Sequence, residues 1–523
     1  MPTASHAALP IARQRQTRSP NCGSKARIDP DELLAELTAL RNRVAKDGSR
    51  AYLAWRSCIE RREFRPSARN FAHYLDLRRE DLRSLQRRLM VLGLSSLGRA
   101  EGRVLGTLDA VTIALRSLAR RPIPKGIRAP LPEEFFRGER ILSRNSEVLF
   151  GPQDAGRGRI LVTLDMQAAN DPEFILRLAQ NGADAVRINC AHDNRDAWSL
   201  MVENLRHAER EMGRKIAILM DIAGPKVRIA EVVTPADNRL RIGDEILLCP
   251  DLPDDGGIAF QARCEPREIL DDVAIGDRVS IDDGKLSGRI IRPARQGLVA
   301  RIEKGRLKGV KLRPQKGLNF PGVTLKLNPL TAQDLIDLDF VVRHADLVGY
   351  SFVESADDVA QLQRELAARR SDWRKLALVA KIETPRSVHN LPQIIIQAAG
   401  RQPLAIMIAR GDLAVEIGFT RLAEMQEEIL WLCEAAHIPA IWATQVLEGL
   451  VTKGLPSRGE MTDAAMAGRA ECVMLNKGAN VTAAVEMLDR LMRSMAEHQA
   501  KKTPTLRALH SWSRELPIHC RLS

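Results

Sequence analysis

The residues of this sequence that could do chemistry lie where short apolar runs end. The run LALVAKIE (376–383) ends in Lys381 and Glu383, and the run LAIMIAR (404–410) is followed closely by Asp412. In a strand, residues two apart point to the same side, so Lys381 and Glu383 share a face. A salt bridge at a strand end would explain this pair taken alone. Two carboxylates at neighbouring strand ends would instead suit Mg²⁺ or Mn²⁺, which prefer oxygen ligands.

Other residues stand at the ends of apolar runs in the same way, namely Arg187, Asn189, Asp221, Gly411 and Thr444, and Arg228 adds a further cation. Cations around a metal suit a substrate that carries phosphate and carboxylate groups. Gly411 would let backbone N–H groups approach a carboxylate, and the Thr444 hydroxyl could orient a ligand or relay a proton. The sequence has no Walker-type loop, no protein-kinase glycine loop and no G-x-S-x-G, so phosphate chemistry would have to take place at these strand ends.

Eight Val/Ile/Leu-rich runs alternate with helical patterns: 159–163, 184–189, 216–221, 346–352, 376–383, 404–410, 439–445 and 471–478. This alternation predicts an α/β fold, a (β/α)8 TIM barrel whose chemistry collects at the C-terminal ends of the strands. Five strand ends that converge on one rim favour a shared polar site. Residues 230–320 carry Asp/Gly/Pro turns between short strands, which predicts a small β-barrel domain inserted after strand three; the turns include 254–257 and 282–284.

The first 120 residues show a different pattern of apolar residues from that of the predicted barrel. Apolar residues at steps of three and four, such as Leu33, Leu37, Leu40 and Val44, predict an all-α N-terminal domain. The predicted divisions are a disordered basic tail (1–28), the helical domain (29–120), a linker (121–157), the catalytic barrel (158–229 and 321–498), the inserted β-domain (230–320) and a second tail (499–523).

Composition narrows the class of protein. The chain is 45% hydrophobic and 28% charged, which is typical of a globular protein. It has no apolar stretch of membrane-spanning length and no signal segment, and its eight cysteines are scattered without a C-x-x-C pair, so a cytoplasmic location is expected. Residues 1–150 hold 29 Lys and Arg against 16 Asp and Glu, whereas residues 151–523 hold 50 of each. Because these arginines are spread along helical patterns with few aromatics, a solvated surface is favoured over nucleic-acid binding.

Several stretches resemble the pyruvate kinase family and occur in that family's order: VRINCAHD (186–193), LMDIAGPKVR (219–228), QKGLNFPG (315–322), SFVES (351–355), AKIETP (380–385), IARGDLAVEI (408–417), IWATQVLEG (441–449) and LPSRGE (455–460). The resemblance covers roughly residues 158–495. It implies phosphoryl transfer between phosphoenolpyruvate and ADP to give pyruvate and ATP. It is also compatible with a homo-oligomer formed through the barrel.

The resemblance also implies residue roles. Glu383 and Asp412 resemble the divalent-metal ligands, and Lys381 and Arg187 resemble the residues that stabilise the transferring phosphoryl group. Gly411, Asp412 and Thr444 resemble the holders of the substrate carboxylate, with Thr444 near the proton relay. The nucleotide-phosphate contacts of the family correspond to Asn189, His192, Arg228 and Lys316. The last of these lies on the inserted β-domain, which in the family closes over the site as a lid.

The family's monovalent-cation site is only partly retained. Its four oxygen-bearing positions read Asn189, Ala191, Asp221 and Ile222 here, so two oxygen ligands are gone. Lys226 occupies a position that is Glu in potassium-requiring members. A lysine ammonium can replace the ion, so K⁺ is expected not to be required.

Three further departures bear on the reaction. The family's loop T-I-G-P-A-S reads TLDMQA (163–168), and S-G-E-T is replaced by residues 476–479, so the nucleotide half of the site differs while the phosphoenolpyruvate half looks complete. The family's C-terminal regulatory domain has no counterpart, so no activation by sugar phosphates is expected. Two alternatives stay open: a Mg²⁺-enolate lyase or aldolase-like enzyme, and a non-catalytic phosphoenolpyruvate sensor.

Overall fold

The computed structural model describes residues 27–152, 157–253, 257–501 and 503–504. Most of the two predicted tails, and the turn at 254–256, lie outside these described residues. Among the described residues, no helix has the length and apolar character needed to cross a membrane.

The chain before the barrel is helical: α1 Pro30–Trp55, α2 Arg65–Leu77, α3 Arg83–Val91, α4 Val104–Leu118, α5 Pro132–Phe135 and α6 Arg137–Phe150. Helix α1 begins where the Asp29 side chain accepts a hydrogen bond from the Asp31 backbone N–H, and Pro30 takes the first helical position. The predicted apolar stripe of α1 is buried, and α1 packs against α2 and α4. This stripe drives the association of the helices because it removes apolar surface from water.

The range 121–157, predicted as a linker, contains α5 and α6 instead. Leu149 and Phe150 of α6 are buried in one cluster with Leu161 and Cys472 of the barrel. The prolines of 121–134 are typical of a linker, but the residues that follow them are mostly helical. Helix α6 is stabilised by packing against the barrel, which a local pattern does not reveal.

All eight predicted barrel strands are present, and they form a closed parallel barrel in the order β1-β17-β16-β15-β14-β13-β3-β2. The strands are β1 Arg159–Thr163, β2 Ala185–Asn189, β3 Ala217–Ile222, β13 Leu347–Tyr350, β14 Ala377–Ile382, β15 Leu404–Ala409, β16 Ala440–Ala443 and β17 Cys472–Leu475. The surrounding helices are α7 Met166–Asn170, α8 Pro172–Gln180, α9 Arg195–Met212, α10 Ala332–His344, α11 Ala356–Arg369, α12 Pro385–His389, α13 Leu391–Ala399, α14 Arg410–Ile417, α15 Phe419–Ala435, α16 Glu448–Lys453, α17 Arg458–Ala467 and α18 Val481–Ala496. Because all strands are parallel, their C-terminal ends meet at one rim.

The insert is a β-domain, as predicted, and its bounds differ from the predicted ones by only a few residues. Its strands are β4 Arg228–Val233, β5 Arg239–Leu240, β6 Glu245–Cys249, β7 Phe260–Glu265, β8 Arg278–Ile281, β9 Leu286–Ala294, β10 Gly297–Gly305, β11 Val310–Lys311 and β12 Leu318–Asn319. Seven of them form one sheet, in the order β12-β8-β9-β10-β6-β7-β4. A single bridge between Arg228 and Gly317 connects its two ends, so the sheet is nearly a barrel. A short hairpin, β18 Gln499–Ala500 with β19 Thr503–Pro504, follows α18.

The helical domain docks against the barrel helices through buried polar contacts. The Asn70 amide donates to the carbonyl oxygens of Glu101 (2.6 Å) and Ala435 (2.8 Å). His437 Nε2 donates to the Gly102 carbonyl at 3.0 Å, while its Nδ1 lies 2.9 Å from the Ser67 hydroxyl. Burial lowers the pKa of His437 to about 4, so this histidine joins the two parts of the chain in its neutral form.

Candidate active site

Charged side chains from the C-terminal ends of strands β2, β3 and β14 meet at the rim of the barrel. The Lys381 Nζ lies 3.3 Å from Asp221 Oδ2 and 3.1 Å from Glu383 Oε1, and it donates to the Ser351 hydroxyl at 2.7 Å. Arg187 donates through Nε to Asp221 Oδ2 at 2.9 Å, and its Nη2 pairs with the same oxygen. Lys381 and Glu383 therefore belong to a buried network of charged groups. They do not form an isolated surface salt bridge.

Asp221 is the anionic centre of this network, and its side chain is only 1% exposed. Burial, the largest influence, would raise the pKa of Asp221, but Lys381 and Arg187 outweigh it and hold this pKa below its ordinary value. The neighbouring residue of strand β13 is Gly349, and a Cβ there would lie 2.5 Å from Asp221 Oδ1. The glycine leaves the room that the carboxylate needs.

Lys381 stays protonated in spite of its burial. Desolvation alone would lower its pKa, yet the carboxylates of Asp221 and Glu383 raise it above its ordinary value. The site therefore holds a fixed ammonium group. Because the Lys381 side chain is only 11% exposed, solvent screens its charge little.

Two carboxylates lie beside this lysine. Burial raises the pKa of Glu383, and the nearby charge of Asp412 adds to the effect while Lys381 opposes it. Glu383 Oε2 accepts a 2.6 Å hydrogen bond from the Phe352 backbone N–H, and Asp412 Oδ1 accepts one from Lys226 Nζ at 3.0 Å. Asp412 Oδ2 makes no hydrogen bond within the described residues.

The donor set fits a divalent cation, because a +2 ion would relieve the repulsion between the two carboxylates. In the part of the chain that the structure describes, no group of three His, Cys, Asp or Glu side chains could hold a metal. The remaining ligands would thus have to be water and substrate oxygens, which is the usual arrangement for Mg²⁺.

The loop after β16 has a strained backbone. Thr444 and Gln445 have φ of +66° and +57°, a region that β-branched residues rarely adopt. The Thr444 hydroxyl accepts a 2.9 Å hydrogen bond from the Gly411 backbone N–H, and Arg410 donates to the Thr444 carbonyl at 2.6 Å. Arg410 is fixed in turn by a bidentate pair with Asp463, at 2.6 and 2.9 Å.

The predicted nucleotide contacts come from the end of β2 (Asn189 and His192) and from the insert (Arg228 and Lys316). Burial lowers the pKa of His192, and the charges of Lys477 and Arg228 lower it further, which places these cations near the imidazole. The backbone carbonyl of Lys316 accepts from the Ile229 N–H at 2.9 Å, so Lys316 lies next to Arg228. Its ammonium lies 3.1 Å from Asp282 of the insert rather than at the barrel rim. Asn189 Oδ1 accepts from the Ala191 N–H at 3.2 Å.

Sequence reasoning assigned no role to three residues that contribute to this site. Ser351 contacts Lys381 and follows strand β13, where its position at a strand end could have indicated it. Lys477 follows β17, and its position after a strand was an equally available signal. Asp463 lies on α17, far from Arg410 along the chain, and no pattern in the sequence connects the two.

The fold and the site together define an α/β-barrel enzyme with an inserted β-domain and a charged rim that suits a divalent cation. Residues 155–485 match the model of the pyruvate kinase barrel domain. A pyruvate kinase of Agrobacterium vitis is 33% identical over 371 residues, covering 69% of this chain and 73% of that protein. One from Thermococcus litoralis is 29% identical over 366 residues, with coverage of 69% and 73%. A pyruvate kinase crystal structure from Cryptosporidium parvum superposes with a TM-score of 0.58 at 25% identity, covering 67% of this chain and 72% of that one.

This chain therefore belongs to the pyruvate kinase family, and it is an enzyme. The resemblance seen in the sequence is confirmed, as is the barrel fold. The match to the family model begins at residue 155, so the N-terminal helices lie outside it.

Proposed function

We propose that this chain transfers a phosphoryl group between phosphoenolpyruvate and ADP, giving pyruvate and ATP. The observation that carries the proposal is the buried network of Lys381, Arg187, Asp221 and Glu383 at the C-terminal rim. In the direction of ATP formation, the bond between phosphorus and the enol oxygen breaks and an ADP phosphate oxygen takes the phosphorus. The enolate that is left then accepts a proton at its methylene carbon.

In this reaction, Lys381 and Arg187 offset the charge of the transferring group. Their orientation is set before substrate arrives, because Asp221 holds both, so little reorganisation is needed at the moment of transfer. The backbone around Gly411 and the Thr444 hydroxyl are proposed to hold the substrate carboxylate, and Thr444 is proposed to take part in the proton relay.

We further propose that Glu383 and Asp412 hold Mg²⁺ or Mn²⁺. When bound, the ion supplies positive charge to phosphate and carboxylate oxygens of the substrates. The raised pKa of Glu383 and the free Oδ2 of Asp412 among the described residues support this assignment.

Asn189, His192, Arg228 and Lys316 are proposed to contact the nucleotide phosphates. The altered loops at 163–168 and 476–479 lie on this side of the site, so ADP as acceptor is the part of the proposal that most needs testing. Closure of the insert would carry the Lys316 ammonium, together with its partner Asp282, towards the rim.

K⁺ independence is also proposed, with Lys226 in place of the ion. Its ammonium lies at the metal carboxylate Asp412, and the Asp221 carboxylate is already used by Arg187 and Lys381. A cytoplasmic location is proposed as well; the free thiols of the six described cysteines are compatible with a reducing compartment.

The test is pyruvate formation from phosphoenolpyruvate and ADP with Mg²⁺, for the wild type, Lys381→Met and a matched control, Lys308→Met. Lys308 is exposed on the insert and makes no hydrogen bond or ion pair within the described residues. Turnover that requires Lys381 and not Lys308 supports the proposal. No turnover with ADP, together with calorimetric binding of phosphoenolpyruvate, would reject ADP as acceptor and direct the search to other acceptors or to a sensor.

A further inference from the structure

A large cavity lies at the end of the barrel opposite the candidate active site. Its volume is 510 Å³, within the usual range for ligand pockets. Helices α6 and α18 form its walls, and its floor is made by Gly158 and Arg159 at the start of β1 and by Ala470 and Glu471 just before β17. Because α6 precedes residue 155, part of this cavity is built from chain that the family model does not match.

Cations outnumber carboxylates around this cavity. The lining holds five basic residues, Arg99, Arg103, Arg159, Arg469 and Lys501, and three acidic ones, Glu139, Glu434 and Glu471. A cleft whose lining carries an excess of positive charge attracts anions, since its low-dielectric walls strengthen the field inside it.

The ion pairs of the cavity lining do not use every N–H group of its arginines. Arg103 pairs with Glu139, and Arg469 donates to Glu427 at 2.8 Å. Within the described residues, the Nε atoms of Arg103 and Arg469 are nevertheless buried without a hydrogen-bond partner. Buried N–H groups of this kind cost free energy, and an acceptor in the cavity would reach them only after the two side chains shift, because both Nε atoms are closed to solvent.

Apolar side chains line the same cavity, among them Leu142, Met492 and Met495. A ligand that contacts both the basic and the apolar side chains of the lining must carry an anionic group and an apolar body. Residues 505–523, which follow the cavity-lining Lys501, hold three arginines against one glutamate, so this basic segment is poorly matched to a basic cavity.

We propose that this cavity, between the N-terminal helices and the base of the barrel, binds a small organic anion that carries a phosphate or carboxylate group on an apolar body. The site is distinct from the phosphoenolpyruvate site at the rim. It does not depend on the proposed reaction.

The proposal is tested by calorimetry on the full-length protein with phenyl phosphate and with inorganic phosphate. Ser143, exposed at the cavity on α6, is changed to Trp to fill the opening, and Arg99→Glu reverses an exposed cation of the lining. Arg87→Glu is the matched control, because Arg87 is an exposed arginine of the same domain outside the cavity.

Phenyl phosphate is expected to bind more tightly than inorganic phosphate. Ser143→Trp and Arg99→Glu should each weaken its binding at least about tenfold, and Arg87→Glu should leave it unchanged; one lost charge-assisted hydrogen bond corresponds to a change of that order. Saturating phosphoenolpyruvate should not displace the probe.

Three results would overturn the proposal. One is the absence of binding, and another is binding that phosphoenolpyruvate abolishes and Ser143→Trp leaves intact, which would locate the probe at the rim. The third is increased tryptic cleavage within residues 505–523 in Ser143→Trp, which would show that the chain's own C-terminal segment occupies the cavity.

Discussion

Lys226 gives the most direct test of the proposed K⁺ independence. Replacing it by Met removes the ammonium 3.0 Å from Asp412 Oδ1 and keeps the apolar stem. At an effective dielectric constant of about 20, the two charges attract with about 5.5 kcal/mol before desolvation is counted. Both side chains are partly exposed, at 27% and 21%, so most of this attraction is offset by solvation.

A hydrogen bond between charged groups contributes about 1.5–3 kcal/mol net. If the substrate complex uses the same interaction, kcat/KM without K⁺ should fall about 10- to 150-fold in Lys226→Met. The assay is pyruvate formation in Na⁺ and in K⁺ buffers, with Lys308→Met as the control for loss of a lysine on the insert.

K⁺ should restore little of the lost activity. The Asp221 carboxylate is already bonded to Arg187 and Lys381, and positions 191 and 222 offer no side-chain oxygen. A wild type that needs K⁺, a Lys226→Met enzyme as active as the control, or full rescue of that variant by K⁺ would each refute the reasoning.

Three further predictions concern the metal, the packing and the histidine. Asp412→Asn should raise the Mn²⁺ concentration for half-saturation at least about tenfold, measured by electron paramagnetic resonance, because one of the two proposed anionic ligands is lost; unchanged affinity would reject this carboxylate as a ligand. Gly349→Ala should lower the free energy of unfolding by about 1–3 kcal/mol in urea, since its Cβ would lie 2.5 Å from Asp221 Oδ1. The pKa of His437 is about 4 in the folded protein against an ordinary 6.5, so the unfolded chain binds the proton first as pH falls. Stability should therefore decrease between pH 6.5 and 4, by about 2 kcal/mol at pH 5, and His437→Gln should flatten this part of the profile.

The sequence by itself determined most of the barrel and the chemical identity of the site. The eight apolar runs predicted all eight strands, because a parallel strand buried on both faces must be almost continuously apolar. The motifs around Lys381, Asp412 and Thr444 were readable for a related reason: each lies at the end of a strand or within three residues after it, and parallel strands bring their ends to one rim.

Contacts between distant parts of the chain were decided only by the tertiary structure. Asp463 fixes Arg410 from another helix, and Gly349 makes room for Asp221 from the neighbouring strand. The packing of α6 against the barrel, and the cavity that it walls, depend in the same way on where separate segments meet. Local patterns report burial and periodicity along the chain, whereas such contacts depend on distances in space that only folding sets.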